Sequence, residues 1–103
     1  MKLSPECTAK ISSYIGFALK AGKVVFGTDN VLTSNKRMLV IMSDELSGNA
    51  AAKISAHATA KGWRVIEISD IGSVIPREGV KVIGIREKNL AEAILKLTDG
   101  NNE

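Results

Sequence analysis

The chain has 103 residues, of which 45% are apolar, and it carries a net charge of +3. This length suits one domain with one core, and every apolar run is far shorter than the roughly 20 residues that a membrane helix needs. No apolar segment follows Lys2, which argues against a secretory signal and for a cytoplasmic protein. The lone Cys7 excludes an intramolecular disulfide, and with the lone His57 it cannot complete a four-ligand zinc site.

The charge is unevenly distributed along the chain. Residues 1–64 hold nine Lys and Arg against four Asp and Glu, whereas residues 65–103 hold five against seven. A basic surface is therefore expected mainly from the first two thirds, and its size is compatible with nucleic acid as a partner.

The first elements are predicted from capping residues and apolar spacing. Ser4 is the expected N-cap of a first helix, which Gly22 ends. Residues 23–26 predict a short buried strand, and Gly27 allows a sharp exit into a short helix from about Thr28 to Asn35.

The following elements alternate between strand and helix patterns. The uninterrupted apolar run Met38–Met42 indicates a central strand that is covered on both faces. The later predicted elements are a helix at 50–61 ended by Gly62, a strand at 63–68, a helical turn through Val74, a strand at 80–85 and a helix at 88–97.

Four predicted strands alternate with five helical segments, and no repeat or linker separates them. The pattern predicts one α/β domain over residues 1–98, built as a three-layer α-β-α sandwich, followed by a frayed tail at 99–103. The order and the directions of the strands do not follow from alternation.

Catalytic and metal-binding patterns are scarce. Cys7 and His57 fall on helices, where we interpret Cys7 as core and His57 as a partly buried residue with a satisfied ring. Gly22 and Gly27 have the spacing of P-loop glycines, but Thr28-Asp29 stands where that loop needs Lys and Ser or Thr. The sequence therefore predicts no enzyme, no cofactor and no metal.

The turn at Gly27 is the candidate binding site. Thr28 and Asp29 either are merely the N-cap and first turn of a short helix or belong to a site that grips a sugar–phosphate backbone. The binding interpretation is favoured by further groups that can donate or accept hydrogen bonds or carry charge: Lys23, Asn30, Thr33, Ser34, Lys36 and Arg37. Trp63 is interpreted as a core residue, so folded RNA suits this chain better than stacked single strands.

The segment 17–27, Phe-Ala-Leu-Lys-Ala-Gly-Lys-Val-Val-Phe-Gly, resembles the opening signature of the ribosomal L-seven-Ae / L-thirty-e family, in its small bacterial YlxQ-like branch. The segments 43–49, 71–72 and 80–85 resemble later parts of the same family. The resemblance implies a mixed four-stranded sheet and binding of kink-turn RNA, a sharply bent internal loop with sheared G·A pairs.

The resemblance also implies two RNA contacts. The family turn typically reads Gly-x-Asn-Glu-x-x-Lys, and Asp29, Asn30 and Thr33 stand at its three polar positions. The second contact is an apolar loop that corresponds to Val74, Ile75, Pro76 and Arg77. This loop either exposes its Val-Ile-Pro tip to RNA or uses Val74 and Ile75 to cap the core, with Arg77 as a solvated charge.

The leading hypothesis is a non-enzymatic, ribosomal-type RNA-binding protein that recognises a kink-turn or a similar structured RNA such as ribosomal RNA. Residues 27–37 and 74–77 are expected to form one composite surface within a ribonucleoprotein. The alternative is a protein–protein adaptor on the same fold, and a nucleotide-binding enzyme is a third hypothesis for which no catalytic group is visible.

Overall fold

A computed structural model describes residues 2–75 and 77–101, and these contain helices and strands in alternation. The helices are α1 (Pro5–Lys20), α2 (Thr28–Thr33), α3 (Gly48–Lys61) and α4 (Lys88–Asn101), with a 3₁₀ turn at Ile71–Ser73. The strands are β1 (Val24–Phe26), β2 (Leu39–Ser43), β3 (Arg64–Ile68) and β4 (Val82–Ile85). The predicted elements are all present, and α2 ends two residues earlier than expected.

The sheet is mixed and has the order β1-β4-β2-β3. β2 and β3 are parallel, whereas β4 runs antiparallel to both β1 and β2. The last strand therefore lies between the first two. The expected mixed four-stranded sheet is confirmed.

The position of each strand in the sheet explains its burial. All five residues of β2 and all four of β4 are buried, which confirms the predicted central strand. β1 is only half-buried along its length. The expectation of a buried first strand is wrong, because β1 lies at the edge of the sheet and has a neighbour on one side alone.

Two apolar layers lie on opposite faces of this sheet. One contains Ile11 and Ile15 of α1 with Ile94 of α4, packed on alternate strand residues such as Ile41. The other contains Val31 of α2 with Ile54 and Ala58 of α3, packed on intervening strand residues such as Val40. This alternation produces the predicted α-β-α sandwich.

Serine side chains cap the first turns of α1 and α3, and the predicted N-cap Ser4 is confirmed. The Ser4 hydroxyl accepts a hydrogen bond from the Cys7 amide at 3.1 Å. Ser47 caps α3 in the same way at the Ala50 amide, at 3.3 Å. In α2 the N-cap is Gly27 and no side chain caps the helix, so the alternative in which Thr28 is the N-cap is excluded.

The last helix is longer than predicted. It was expected to end near Leu97, but α4 continues through Asn101. Thr98, the last residue of the predicted domain, is buried, and its hydroxyl donates to the Leu95 carbonyl at 3.0 Å. The last two positions of the expected tail lie outside the described residues.

Candidate nucleic-acid interface

The turn after β1 is fixed to the sheet by two hydrogen bonds. The Gly27 amide donates to the Val82 carbonyl at 2.9 Å, which joins the end of β1 to the start of β4. The Asn30 side-chain amide donates to the Phe26 carbonyl at 2.8 Å, closing the same turn from within α2. Gly27 has φ 90° and ψ 154°, a conformation that is essentially restricted to glycine. The turn is thus a rigid corner.

Arg77 connects this corner to the second predicted contact segment. The carbon at the centre of its guanidinium lies 4.0 Å from the centroid of the Phe26 ring. A cation above an aromatic face at this distance is attracted by the negative face of the ring. The end of β1 and the loop after the 3₁₀ turn, which are far apart in the sequence, therefore meet at one surface.

The apolar part of that loop is not available at the surface. Val74 is 2% exposed and Ile75 is 6% exposed, and both belong to the apolar layer beneath α1 and α4. Of the two alternatives left open for this loop, capping of the core by Val74 and Ile75 is confirmed, and exposure of these two side chains is excluded. Pro76 lies outside the described residues. Arg77, which is exposed, is the predicted loop residue that reaches solvent.

The exposed side of α2 presents mainly hydrogen-bond acceptors. Asp29, Asn30 and Thr33 are exposed, whereas Thr28 is half-buried. The Thr33 hydroxyl donates to the Asp29 carbonyl at 3.0 Å, and the Asn30 amide is already bonded to Phe26. The Asp29 carboxylate and the Asn30 side-chain oxygen are exposed and accept no hydrogen bond from the described residues, so this surface suits amino groups of bases and 2′-hydroxyls better than phosphates.

The segment that follows α2 is held by α3. The His57 Nε2–H donates to the Ser34 carbonyl at 3.1 Å, and the Lys61 ammonium donates to the Asn35 side chain at 3.0 Å. The Ser34 hydroxyl accepts from the Lys36 amide at 3.3 Å. The interpretation of His57 as a satisfied, partly buried residue is confirmed. The contact by which His57 holds Ser34, just before Lys36 and Arg37, was not predicted. It joins residues that are 23 positions apart in the sequence.

The cations of the predicted site other than Arg77 lie at the other end of the sheet. We call the end where β1 finishes and β4 begins the turn end, and the end where β1 starts and β4 finishes the cationic end. Lys23 precedes β1 and Arg37 precedes β2, and both strands are paired with Ile85 at this point. The Arg86 amide donates to the Lys23 carbonyl at 2.8 Å, so Arg86 joins the same group.

The single composite surface expected from residues 27–37 and 74–77 is therefore divided. Gly27 and Lys23 are separated by four residues along β1, or roughly 13 Å at about 3.3 Å per residue. α2 runs between the two ends, with Gly27 at its start and Lys36-Arg37 just beyond its last residue. A ligand must extend along α2 to touch both groups.

Charge is also divided between the two ends. Acidic residues lie in the loops of the turn end: Asp44, Glu45, Asp70 and Glu78. Arg77 and Lys81 are the cations of those loops. The cationic end includes Arg86 and Lys88 from the last third of the chain, which the charge balance of the sequence did not predict. Antiparallel insertion of β4 brings them beside Lys23 and Arg37.

The remaining candidate residues are structural. Cys7 is 6% exposed, and burial raises the pKa of its thiol while Lys10 lowers it to a lesser extent. Trp63 is 8% exposed and its ring meets that of His57 edge-on, with the ring centroids 5.1 Å apart. Both are core residues, as predicted. Among the residues described, no group of His, Cys, Asp and Glu is arranged to hold a metal ion.

Comparison with known proteins supports the fold. A solved structure of a protein with unknown function from Bacillus halodurans C is similar to this chain, with a TM-score of 0.79 and 22% sequence identity. The similarity covers 88% of this chain and 98% of that chain. No family model and no curated protein matches the sequence. Within residues 2–75 and 77–101, no helix has the length and apolar character needed to cross a membrane.

Proposed function

We propose that this chain is a non-enzymatic, cytoplasmic RNA-binding protein that recognises a kink-turn or a similarly structured RNA such as ribosomal RNA. The contact between Arg77 and the Phe26 ring carries the proposal, because it joins the two segments that the family resemblance implies as RNA contacts. The rigid Gly27 corner lies directly beside this contact.

The two ends of the sheet have different roles in this proposal. At the turn end, Asp29 and Asn30 offer acceptors to base amino groups and to 2′-hydroxyls, which report RNA shape. At the cationic end, Lys36 and Arg37 neutralise phosphates, a contact that contributes affinity without sequence information. An RNA stem that lies along α2 reaches both ends.

The chemistry of this surface differs from the family pattern at all three polar positions, Asp29, Asn30 and Thr33. The usual Lys is replaced by Thr33, whose hydroxyl is bonded to the helix backbone. The loss of this cation shifts the phosphate contacts to Lys36 and Arg37. Kink recognition then depends on Asn30, whose side chain also holds the turn, and on Arg77.

The experiment is a gel-shift titration of the full chain with a standard kink-turn and with a control duplex whose sheared G·A pairs are disrupted. The wild type is expected to bind the kink-turn more tightly. Asn30→Ala should reduce that preference by up to about tenfold, since the loss of one hydrogen bond from the Asn30 side-chain oxygen costs about 0.5–1.5 kcal/mol.

Asn89→Ala is the matched control, because Asn89 is exposed on α4, which packs on the opposite face of the sheet from the helix that carries Asn30. It should retain the wild-type preference, and thermal melting of both variants separates a defect in recognition from an unfolded turn. Equal binding of both RNAs by the wild type would overturn the proposal. The adaptor alternative would be favoured if the chain bound a protein partner, if this binding persisted at high salt, and if it survived replacement of Lys36 and Arg37 by neutral residues.

A further inference from the structure

A pocket lies at the cationic end, between α4 and the first residues of β2 and β3. Its volume is about 170 Å³, and four aliphatic side chains form its floor: Leu39, Ile85, Ala91 and Leu95. A cavity of about 150 Å³ accommodates one benzene-sized group. The pocket therefore has room for a single apolar side chain.

The rim of this pocket is strongly cationic. Arg37, Arg64, Arg86 and Lys88 line it, and Glu92 is the carboxylate among the lining residues. Arg37, Arg64 and Lys88 are exposed, and Arg86 is half-buried. Over the described part of the chain, none of these four cations forms an ion pair with a carboxylate. Their charge is thus available to an acidic ligand.

The lining favours a peptide over a nucleotide. Recognition of an unstacked base generally uses an aromatic platform together with groups that hydrogen-bond to the base edge. No aromatic ring, hydroxyl or side-chain amide is among the described residues that line this pocket. Guanidinium groups instead match carboxylates through paired, parallel hydrogen bonds.

We propose that this pocket binds an acidic peptide segment of a partner protein, which inserts one leucine- or phenylalanine-sized side chain between the arginines. Charge complementarity with the rim selects the acidic chain, and the aliphatic floor selects the anchor. The site shares Arg37 and Arg86 with the cationic end and contains no residue of the turn end. It stands independently of RNA recognition.

The test uses fluorescence anisotropy of a short labelled peptide of glutamates and aspartates with one central phenylalanine, at physiological salt. Replacing that phenylalanine by alanine in the peptide should weaken binding about tenfold or more, since burial of such a side chain contributes about 1.5–3 kcal/mol. Arg64→Glu and Lys88→Glu should each weaken binding of the anchored peptide about tenfold.

Two further variants keep the test falsifiable. Lys53→Glu, an equal change of charge on exposed α3, should alter binding by no more than about twofold. Ala91→Leu fills the floor without changing any charge and should weaken the anchored peptide while leaving the alanine peptide unaffected. Melting curves establish that each variant is folded, so a binding defect is not confused with loss of structure.

Three results would overturn the proposal. In the first, the peptide with phenylalanine and the peptide with alanine in its place would bind equally. In the second, Lys53→Glu would weaken binding as much as Arg64→Glu does. In the third, an oligonucleotide of equal charge would bind more tightly than the peptide and lose affinity in Arg64→Glu and Ala91→Leu. None of these readouts uses a kink-turn, so failure of the RNA proposal is detected separately.

Discussion

The backbone of Gly27 does two things: it turns the chain after β1, and its amide donates a hydrogen bond to Val82 of β4. At φ 90° and ψ 154° an L side chain is strained, although no atom lies within 4 Å of the position that a Cβ would occupy. Gly27→Ala is therefore expected to destabilise the fold by about 1–3 kcal/mol through backbone strain alone. Urea unfolding monitored by circular dichroism measures this change.

The control for that substitution is Gly16→Ala within α1. A Cβ at Gly16 also meets no atom within 4 Å, but this residue has ordinary helical backbone. Alanine there should stabilise the protein by about 0.5–1 kcal/mol. Equal changes in the free energy of unfolding for the two substitutions would show that backbone strain at residue 27 does not determine stability.

Cys7 makes a separate prediction about pH. Burial raises the pKa of its thiol, and Lys10 lowers it by less. The folded protein therefore holds this proton at pH values where the unfolded chain releases it. The resulting stabilisation is complete below the ordinary thiol pKa and is lost as pH rises through the folded value.

Two measurements check this behaviour. Iodoacetamide should alkylate Cys7 slowly in the native protein and rapidly in urea, because the thiolate is the nucleophile. The free energy of unfolding should fall less steeply with alkaline pH in Cys7→Ala than in the wild type. If the free energy of unfolding fell equally with pH in the two proteins, the raised pKa of Cys7 would be contradicted.

At the level of elements, β4 depends on close approach of a neighbouring side chain. A Cβ added at Gly84 would overlap the Met38 sulfur, in the layer between the sheet and α2 with α3. Gly84→Ala is expected to cost about 1–3 kcal/mol, the usual penalty for overfilling a packed core. The cost should fall when Met38 is shortened to alanine.

A double-mutant cycle measures that coupling. Gly84→Ala, Met38→Ala and the double variant are unfolded in urea under the same conditions. A coupling energy of about 1 kcal/mol or more is expected, since the two residues share one space. Additive losses would mean that Met38 moves aside without penalty.

The elements themselves were predictable because their signals are local. Apolar spacing and caps such as Ser4 and Ser47 depend on residues within one or two turns. Strand order was not predictable, since the antiparallel insertion of β4 depends on contacts between distant segments. Arg86 and Lys88 lie at the cationic end because of that insertion, so the sequence did not predict these two cations there.

The candidate site was predicted in part for the same reason. The Gly27 corner is encoded by a glycine between a strand and a helix, and the structure contains it there. Whether Val74 and Ile75 face water depends on their packing against the apolar layer beneath α1 and α4. The sequence of the loop alone carries no information about that packing. The sequence therefore left both arrangements open, and the structure has the buried one.

At the scale of the whole molecule, acidic and basic groups are separated along the strand direction. The turn end combines acceptors with the Arg77–Phe26 contact, and the cationic end gathers Lys23, Arg37 and Arg86. Repulsion between the acidic loops and phosphates disfavours random docking of RNA at the turn end. In the proposed function, a polyanion is attracted to the cationic end, and contacts along α2 then distinguish the shape of the RNA.

This separation predicts that affinity and selectivity can be changed independently. Lys36→Ala combined with Arg37→Ala should weaken binding to the kink-turn and to the disrupted duplex by similar factors. The slope of log K against log salt should become shallower by up to about 0.9 for each phosphate that the variant no longer neutralises. Asn30→Ala should leave that slope unchanged while it lowers the preference for the kink.

Binding titrations over a series of salt concentrations measure both quantities for each variant. Lys96→Ala is the control for removal of a charge, because Lys96 is exposed on α4 and lies on the opposite face of the sheet from α2. It should preserve the slope and the preference. If the Lys36 and Arg37 variant lost its preference for the kink at an unchanged slope, these cations would read shape, and the two ends would not have separate roles.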